Sequence, residues 1–409
     1  MRRRSAVLAL ASLLVLAAWA PSAGAMTTGT LHALLNKLHN RLGSAAGGYV
    51  VDEASGTVLF SHRPTLALAP ASNEKLFTTA AALLRFGPTD TLQTTVATAP
   101  GVEVGASGVL DGDLYLVGGG DPTLGDAGMK VLADDVVRAG VRRIDGGVIG
   151  DESAFDTLRG EPDSGYKPDG DLGGWLTALS WRHGRAGATG PARAAAGELA
   201  RLLKARGVRY SRKARAGRLS TVAGGGVAAD AEPLATLRSP PIASLIALTN
   251  VPSENFYAEM LIKALGARFG ANGSTAAGLD VVRTQLASFG VHPKMVDGSG
   301  LSRVDRTTAQ QVVRLLQRMD AQETARTWVA SLPLAGRTGT LRARMRGTAA
   351  AGRCSAKTGT LIGVSALSGY CTTTGGRRVA FSFIENQVCN YCAKSVEDKM
   401  VAAIARLDG

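Results

Sequence analysis

The chain has 409 residues, 45% of them hydrophobic and 19% charged, which is enough for two or three domains with a substantial core. A formal charge of +13 suits anionic surroundings such as a bacterial wall or a phospholipid surface. Aromatic residues make up only 5%, and no basic stripe carries interleaved aromatics, which excludes a nucleic-acid binder.

The first 25 residues read as a secretory signal peptide. Arg2, Arg3 and Arg4 precede an apolar run from Ala6 to Ala20, and Ala23-Gly24-Ala25 supplies the small residues of a cleavage site. The run is short for a bilayer span, and no later stretch is long and apolar enough to cross one, so no integral span is expected after cleavage. The mature protein is expected outside the cytoplasm: secreted, periplasmic or associated with a cell wall.

Leu31, Leu34, Leu35, Leu38 and Leu42 trace one face of a first helix. A hairpin follows, GYVVD and TVLFSH around a turn at 53–56. Next comes APASNEKLFTTAAALL, helical by the spacing of Leu76, Ala80, Leu83 and Leu84, with Pro70 just upstream. From about Thr91 to Arg238 the texture turns to short strands and glycine-rich turns, and 160–195 has little periodicity. Helical texture returns at Pro241, then gives way to two strands (SAKTGTLIG, VSALSGYCT), a third (RRVAFSFIEN) and a final helix. The pattern predicts an α/β (α+β) domain of residues 26–90 and 238–409, with an antiparallel sheet flanked by helices. A β-rich insertion of 91–237 interrupts it, with a nested lobe near 160–222.

Three short motifs carry candidate chemistry. Ser72 and Lys75 stand three residues apart, on one face at the start of a helix, so an amine can reach a hydroxyl and take its proton. The helix start adds free backbone N–H groups where an oxyanion would form. Ser253 and Asn255 open a second helix, where a serine can equally be a cap. Lys357, Thr358 and Gly359 lie on a strand before a tight turn at Ile362-Gly363. Each motif alone is unremarkable; in this order, behind a signal peptide, they match elements found together in penicillin-binding proteins and β-lactamases. A second cation at Lys357, together with burial, would lower the pKa of Lys75 and make it a base.

The four cysteines, Cys354, Cys371, Cys389 and Cys392, fall late and suggest two disulfides in an oxidising compartment. Only the Cys389–Cys392 pair has zinc-ligand spacing, with no histidine near it, so no metal is expected. Three pairings are possible. Cys354 and Cys371 are equidistant from the turn at Ile362-Gly363, which favours a bond across the hairpin and leaves Cys389 with Cys392.

The chain resembles the penicillin-binding protein 4 type of D-alanyl-D-alanine carboxypeptidase, the S13 serine peptidases. PASNEKLFTTAAAL, LVGGGDPTL, GDESAFD, PSENFYAEML, VDGSGLSR, LPLAGRTGTLRARM and AKTGTLIGVSALSGY each look like a block of that family, in family order. Glu254 stands where the family usually has aspartate, and 160–195 matches poorly. The resemblance implies a β-lactamase-like fold and a serine peptidase, without cofactor, that acts on peptidoglycan stem peptides as a carboxypeptidase, with or without D,D-endopeptidase activity. β-Lactams would be its covalent inhibitors. It implies Ser72 as nucleophile, Lys75 as base, Ser253 as proton relay, Asn255 on the substrate peptide, and Lys357 and Thr358 on the terminal carboxylate. Gly359 would let substrate approach the strand. The amides of Ser72 and Thr360 would form the oxyanion hole. Asp151, Phe155, Asp156 and Arg342 would hold the far, zwitterionic end of the stem peptide, whereas Asp297 in DGSGLS reads as a turn-former. The competing readings are a β-lactamase of the same fold and a non-catalytic peptidoglycan-binding protein.

Overall fold

The computed structural model describes residues 26–185, 189–219, 221–222, 226–227 and 231–408. The predicted signal peptide, 1–25, lies outside them. Helix α1 (Thr28–His39) begins at Thr27, whose hydroxyl accepts from the Thr30 amide. The expected hairpin follows as β1 (Ala46–Asp52) and β2 (Val58–His62), then helix α2 (Glu74–Phe86).

The chain leaves this domain after Asp90 and returns at Ser239, the two crossings tied by Ser239 N to Leu92 O at 2.8 Å and Ile242 N to Asp90 O at 2.9 Å. Between them lie β3 (Gln93–Thr98), β4 (Leu114–Gly118), α3 (Asp126–Arg138), β5 (Val148–Asp151), α4 (Pro191–Ala205), β6 (Arg215–Ala216) and β7 (Pro233–Arg238). The sheet order is β7-β3-β4-β5-β6, antiparallel on the β7 side and parallel from β4 to β6. Parallel neighbours need crossovers, and α3 and α4 supply them. The insertion thus carries two helices beside its strands. The described residues of 160–222 are divided between two cores. Leu172, Leu176 and Ala178 pack into the core of the first domain, while α4 packs on the insertion's sheet.

After the insertion come α5 (Ile242–Asn250), α6 (Asn255–Phe269), α7 (Thr275–Ala287), α8 (Ala309–Asp320), β8 (Cys354–Leu361), β9 (Val364–Thr372), β10 (Arg378–Asn386) and α9 (Asn390–Ile404). The five-stranded sheet runs β8-β9-β10-β1-β2, antiparallel throughout. Its central strands β9 and β10 are covered on both faces and are buried along nearly their whole length. One face (Val50, Phe60, Leu367, Phe381) packs with α1 and α9. The other (Val51, Ala366, Tyr370, Ile384) packs with α2, α5, α6 and α8. Helix α6 is buried almost all round, which makes it the central helix.

Register settles the cysteines. Cys354 lies directly opposite Cys371 and is bonded to it, with Cα atoms 4.1 Å apart; Cys389 is bonded to Cys392 at the start of α9.

Candidate active site

Ser72 sits on a short 3₁₀ turn, Ala71–Asn73, immediately before α2 rather than within its first turn. Ala71 adopts a left-handed conformation, φ 48°, which projects the turn toward β8. Two glycines let neighbours close on it. A Cβ on Gly359 would lie 2.5 Å from Pro70 O, and one on Gly300 would lie 1.9 Å from Ala71 O.

Lys75, one helical turn on, is fully buried, and its Nζ donates to Ser72 Oγ at 3.0 Å, Asn255 Oδ1 at 2.6 Å and Ser299 O at 2.6 Å. Three acceptors match the three hydrogens of an ammonium. When the amine is neutral, Asn255 and Ser299 can keep its two hydrogens, leaving the lone pair for the proton of Ser72. Burial pushes the Lys75 pKa down to about 8, against the opposing pull of Asp297, Glu259, Glu254 and Glu74.

Ser299 owes its place to Asp297, whose carboxylate accepts from the amides of Ser299, Gly300 and Ser302 at 3.0, 2.6 and 2.6 Å. Asp297 thus forms the turn expected of it. Glu259, one turn along α6 from Asn255, accepts the Gly298 amide at 2.8 Å. Both acceptors that steady Lys75 are in this way referred to α6.

Lys357 is also fully buried, donating to Ser253 Oγ at 2.8 Å and to Thr358 O at 2.9 Å. Its pKa is driven well below the usual lysine range, first by burial and then by the charge of Lys75. Ser253 is not a cap: Glu254 occupies that position, and Ser253 has φ 70° with its hydroxyl turned to Lys357. Asn255 donates its amide to Asp171 O at 2.7 Å, a carbonyl of the insertion.

Strand β8 lies at the sheet edge. Ala356 N donates to Pro333 O and Cys354 O accepts from Ala335 N, both at 2.9 Å, so even-numbered residues turn their backbone groups outward. By the same alternation the amides of Thr358 and Thr360 face away from β9, on the edge that Pro70 and Asn73 approach at Gly359.

Thr340 and Ser299 were not foreseen. Thr358 Oγ1 donates to Thr340 Oγ1 at 2.8 Å, and Thr340 N donates to Val251 O at 3.1 Å. Thr340 lies within the GRTGTLR block, but Ser299 acts through its carbonyl and leaves no side-chain signature.

The expected contacts for the far end of a substrate need correcting. Asp151 is fully buried, its two oxygens accepting the amides of Ser153 at 2.8 Å and Leu219 at 2.6 Å. Phe155 is buried under Gly120 and Gly273 in the main core. Asp156 pairs with the buried Lys263 and accepts the Leu158 amide. Asp151 thus braces the insertion internally, and Asp156 ties the insertion to α6. Arg342 is exposed just past the Gly339–Leu341 turn, and its guanidinium has no partner among the described residues.

The profile of the D-Ala-D-Ala carboxypeptidase 3 (S13) family matches residues 28–170 and 184–407. A D-alanyl-D-alanine carboxypeptidase from an Actinomadura species is 34% identical over 450 residues, covering 90% of this chain and 82% of the relative. Penicillin binding protein 4 from Haemophilus influenzae superposes with a TM-score of 0.75 at 19% identity, covering 91% of this chain and 99% of the other. A complex of the same protein with a β-lactam superposes at 0.72 with 21% identity, covering 91% and 99%. These matches in sequence and fold place the chain in the D-Ala-D-Ala carboxypeptidase 3 (S13) family.

Proposed function

We propose that this enzyme hydrolyses the terminal D-Ala–D-Ala bond of peptidoglycan stem peptides, outside the cytoplasm, through an acyl-enzyme on Ser72. Neutral Lys75 takes the Ser72 proton as Oγ attacks the carbonyl carbon. The amides of Ser72 and Thr360 receive the developing oxyanion, and each such donor is typically worth about 3–4 kcal/mol of transition-state binding. The Ser253 hydroxyl, held by Lys357, returns a proton to the departing amine. Lys357, with Thr358 braced by Thr340, takes the terminal carboxylate, and Asn255 binds the substrate's peptide once its amide leaves Asp171. Water then releases the acyl group. Arg342 remains available, by its exposure, to the far end of the substrate.

The observation that carries this reading is the contact of Lys75 Nζ with Ser72 Oγ, with Asn255 and Ser299 holding the rest of the amine. The test is intact-mass detection of a labelled penicillin adduct, alongside D-alanine release from an acylated L-Lys-D-Ala-D-Ala peptide. Ser72→Ala should lose both while retaining the fold. An adduct that persists in this variant sinks the assignment, and rapid turnover of the adduct in the native enzyme would favour a β-lactamase instead.

A further inference from the structure

On the reading above, the oxyanion hole has two walls from distant segments, the Ser72 turn before α2 and the edge of β8 at Thr360. The apolar contact between them is small. Ala69, Ala71 and Val364, with Leu361 against them, form a cluster of their own, detached from both main cores. Close packing at Gly359, where an added Cβ would lie 2.5 Å from Pro70 O, sets how near the walls can come. Contact that close resists approach but gives little hold against separation.

The hold comes from the segment that joins β10 to α9. Asn386, the last residue of β10, grips Ala69, three residues before Ser72. Its Oδ1 accepts the Ala69 amide and its Nδ2 donates to Ala69 O, both at 3.0 Å. Asn390, the first residue of α9, grips the hairpin that ends β8. Its Nδ2 donates to Leu361 O at 2.8 Å and to Val364 O at 2.6 Å, and its Oδ1 accepts Gly363 N at 3.0 Å. Both donors and the acceptor of that amide are thus spent on one turn. Between the two asparagines, Val388 N donates to Gly363 O at 3.2 Å, Gln387 bends the chain at φ 58°, and the Cys389–Cys392 bond closes a ring around Asn390. Arg303 Nη2 adds a hold on Ile362 O at 2.9 Å, from an exposed position.

We propose that Asn386 and Asn390 are positioning residues for acylation, the two ends of one bracket that fixes the gap between the Ser72 turn and the Thr360 edge without touching substrate. This deepens the reading above and rests on its oxyanion hole. As Ser72 Oγ bonds the carbonyl carbon, both amides must lie about 2.7–3.1 Å from the oxygen that gains charge. A gap widened by about 1 Å leaves one of them out of reach.

The test follows acylation of the mature enzyme against penicillin concentration, which separates the dissociation constant of the first complex from the rate constant of acylation. Asn386→Ala and Asn390→Ala should each lower the rate constant about tenfold to a hundredfold, the scale of a misplaced reacting group, with the first complex unchanged within about twofold. The double variant should lose no more than about threefold beyond the slower single variant, because a bracket cut at either end already frees the gap. Asn390→Asp guards against a failure to fold. An acid is favoured in the first turn of α9, and it keeps the acceptor for Gly363 N while turning a carboxylate toward Leu361 O and Val364 O. This variant should acylate as slowly as Asn390→Ala. Folded single variants that acylate at the native rate overturn the proposal and leave the acyl-enzyme reading standing. So does a loss carried by the first complex alone, or a double variant whose loss is the product of the two singles. A native enzyme that forms no penicillin adduct overturns the acyl-enzyme reading, and this one with it.

Discussion

Gly359→Ala tests whether the edge of β8 is an active part of the site. A Cβ there would lie 2.5 Å from Pro70 O and 3.2 Å from Asn73 N, both backbone atoms flanking the nucleophile. Neither can swing aside as a flexible side chain would. The turn and strand must separate by roughly 0.5–1 Å to restore ordinary contact, and overpacking of this kind typically costs about 1–3 kcal/mol. The same separation draws the Thr360 amide from the carbonyl held at Ser72. Misplacement on this scale costs up to about a hundredfold in rate. The assay is the second-order rate of acylation by a labelled penicillin, with a melting curve to confirm folding. Gly363→Ala is the control: φ is 74° but nothing lies within 4 Å of its added Cβ. That variant strains only the hairpin turn, at roughly 1–3 kcal/mol, and should acylate normally. A folded Gly359→Ala protein that acylates at the native rate would refute the role given to this edge.

Two further outcomes follow from burial and register. With the Lys75 pKa brought down to about 8, the amine is increasingly protonated below that pH and cannot accept the Ser72 proton. The acylation rate should therefore fall about tenfold per pH unit well below 8 and level off above it; a flat profile between pH 6 and 8 would exclude Lys75 as the base. The Cys354–Cys371 bond closes a separation of 17 residues and the Cys389–Cys392 bond one of 3. Loss of the first by paired alanine substitution should lower stability by about 3 kcal/mol, and loss of the second by less, because longer loops lose more chain entropy on closure. Urea denaturation of the two double variants checks the order, which an equal loss in both would contradict.

Local chemistry was legible in the sequence. The Ser72–Lys75 spacing, the hairpin around Ile362-Gly363 that pairs Cys354 with Cys371, and the helical and strand periods of the main domain all depend on neighbours within a few turns. Hidden in it were features that depend on what a segment meets. The glycine-rich insertion concealed α3 and α4, whose amphipathic faces matter only against its sheet. Asp151 and Asp156 read as ligand groups because their types suit one, yet the fold gives the first to backbone amides and the second to Lys263. Ser299 contributes a carbonyl, and any residue has one.

The sequence by itself determined the spacing of Ser72 and Lys75, the order of the three motifs and their likeness to a family of serine carboxypeptidases. Only the tertiary structure buries Lys75 and Lys357, which draws both amines below the usual lysine range, and sets Ser72, Asn255 and Ser299 around Lys75 Nζ. It alone opened a cavity among Val251, Thr338 and Ser355. A pKa and a cavity are properties of surroundings, and here those surroundings come from segments scores of residues apart in the chain.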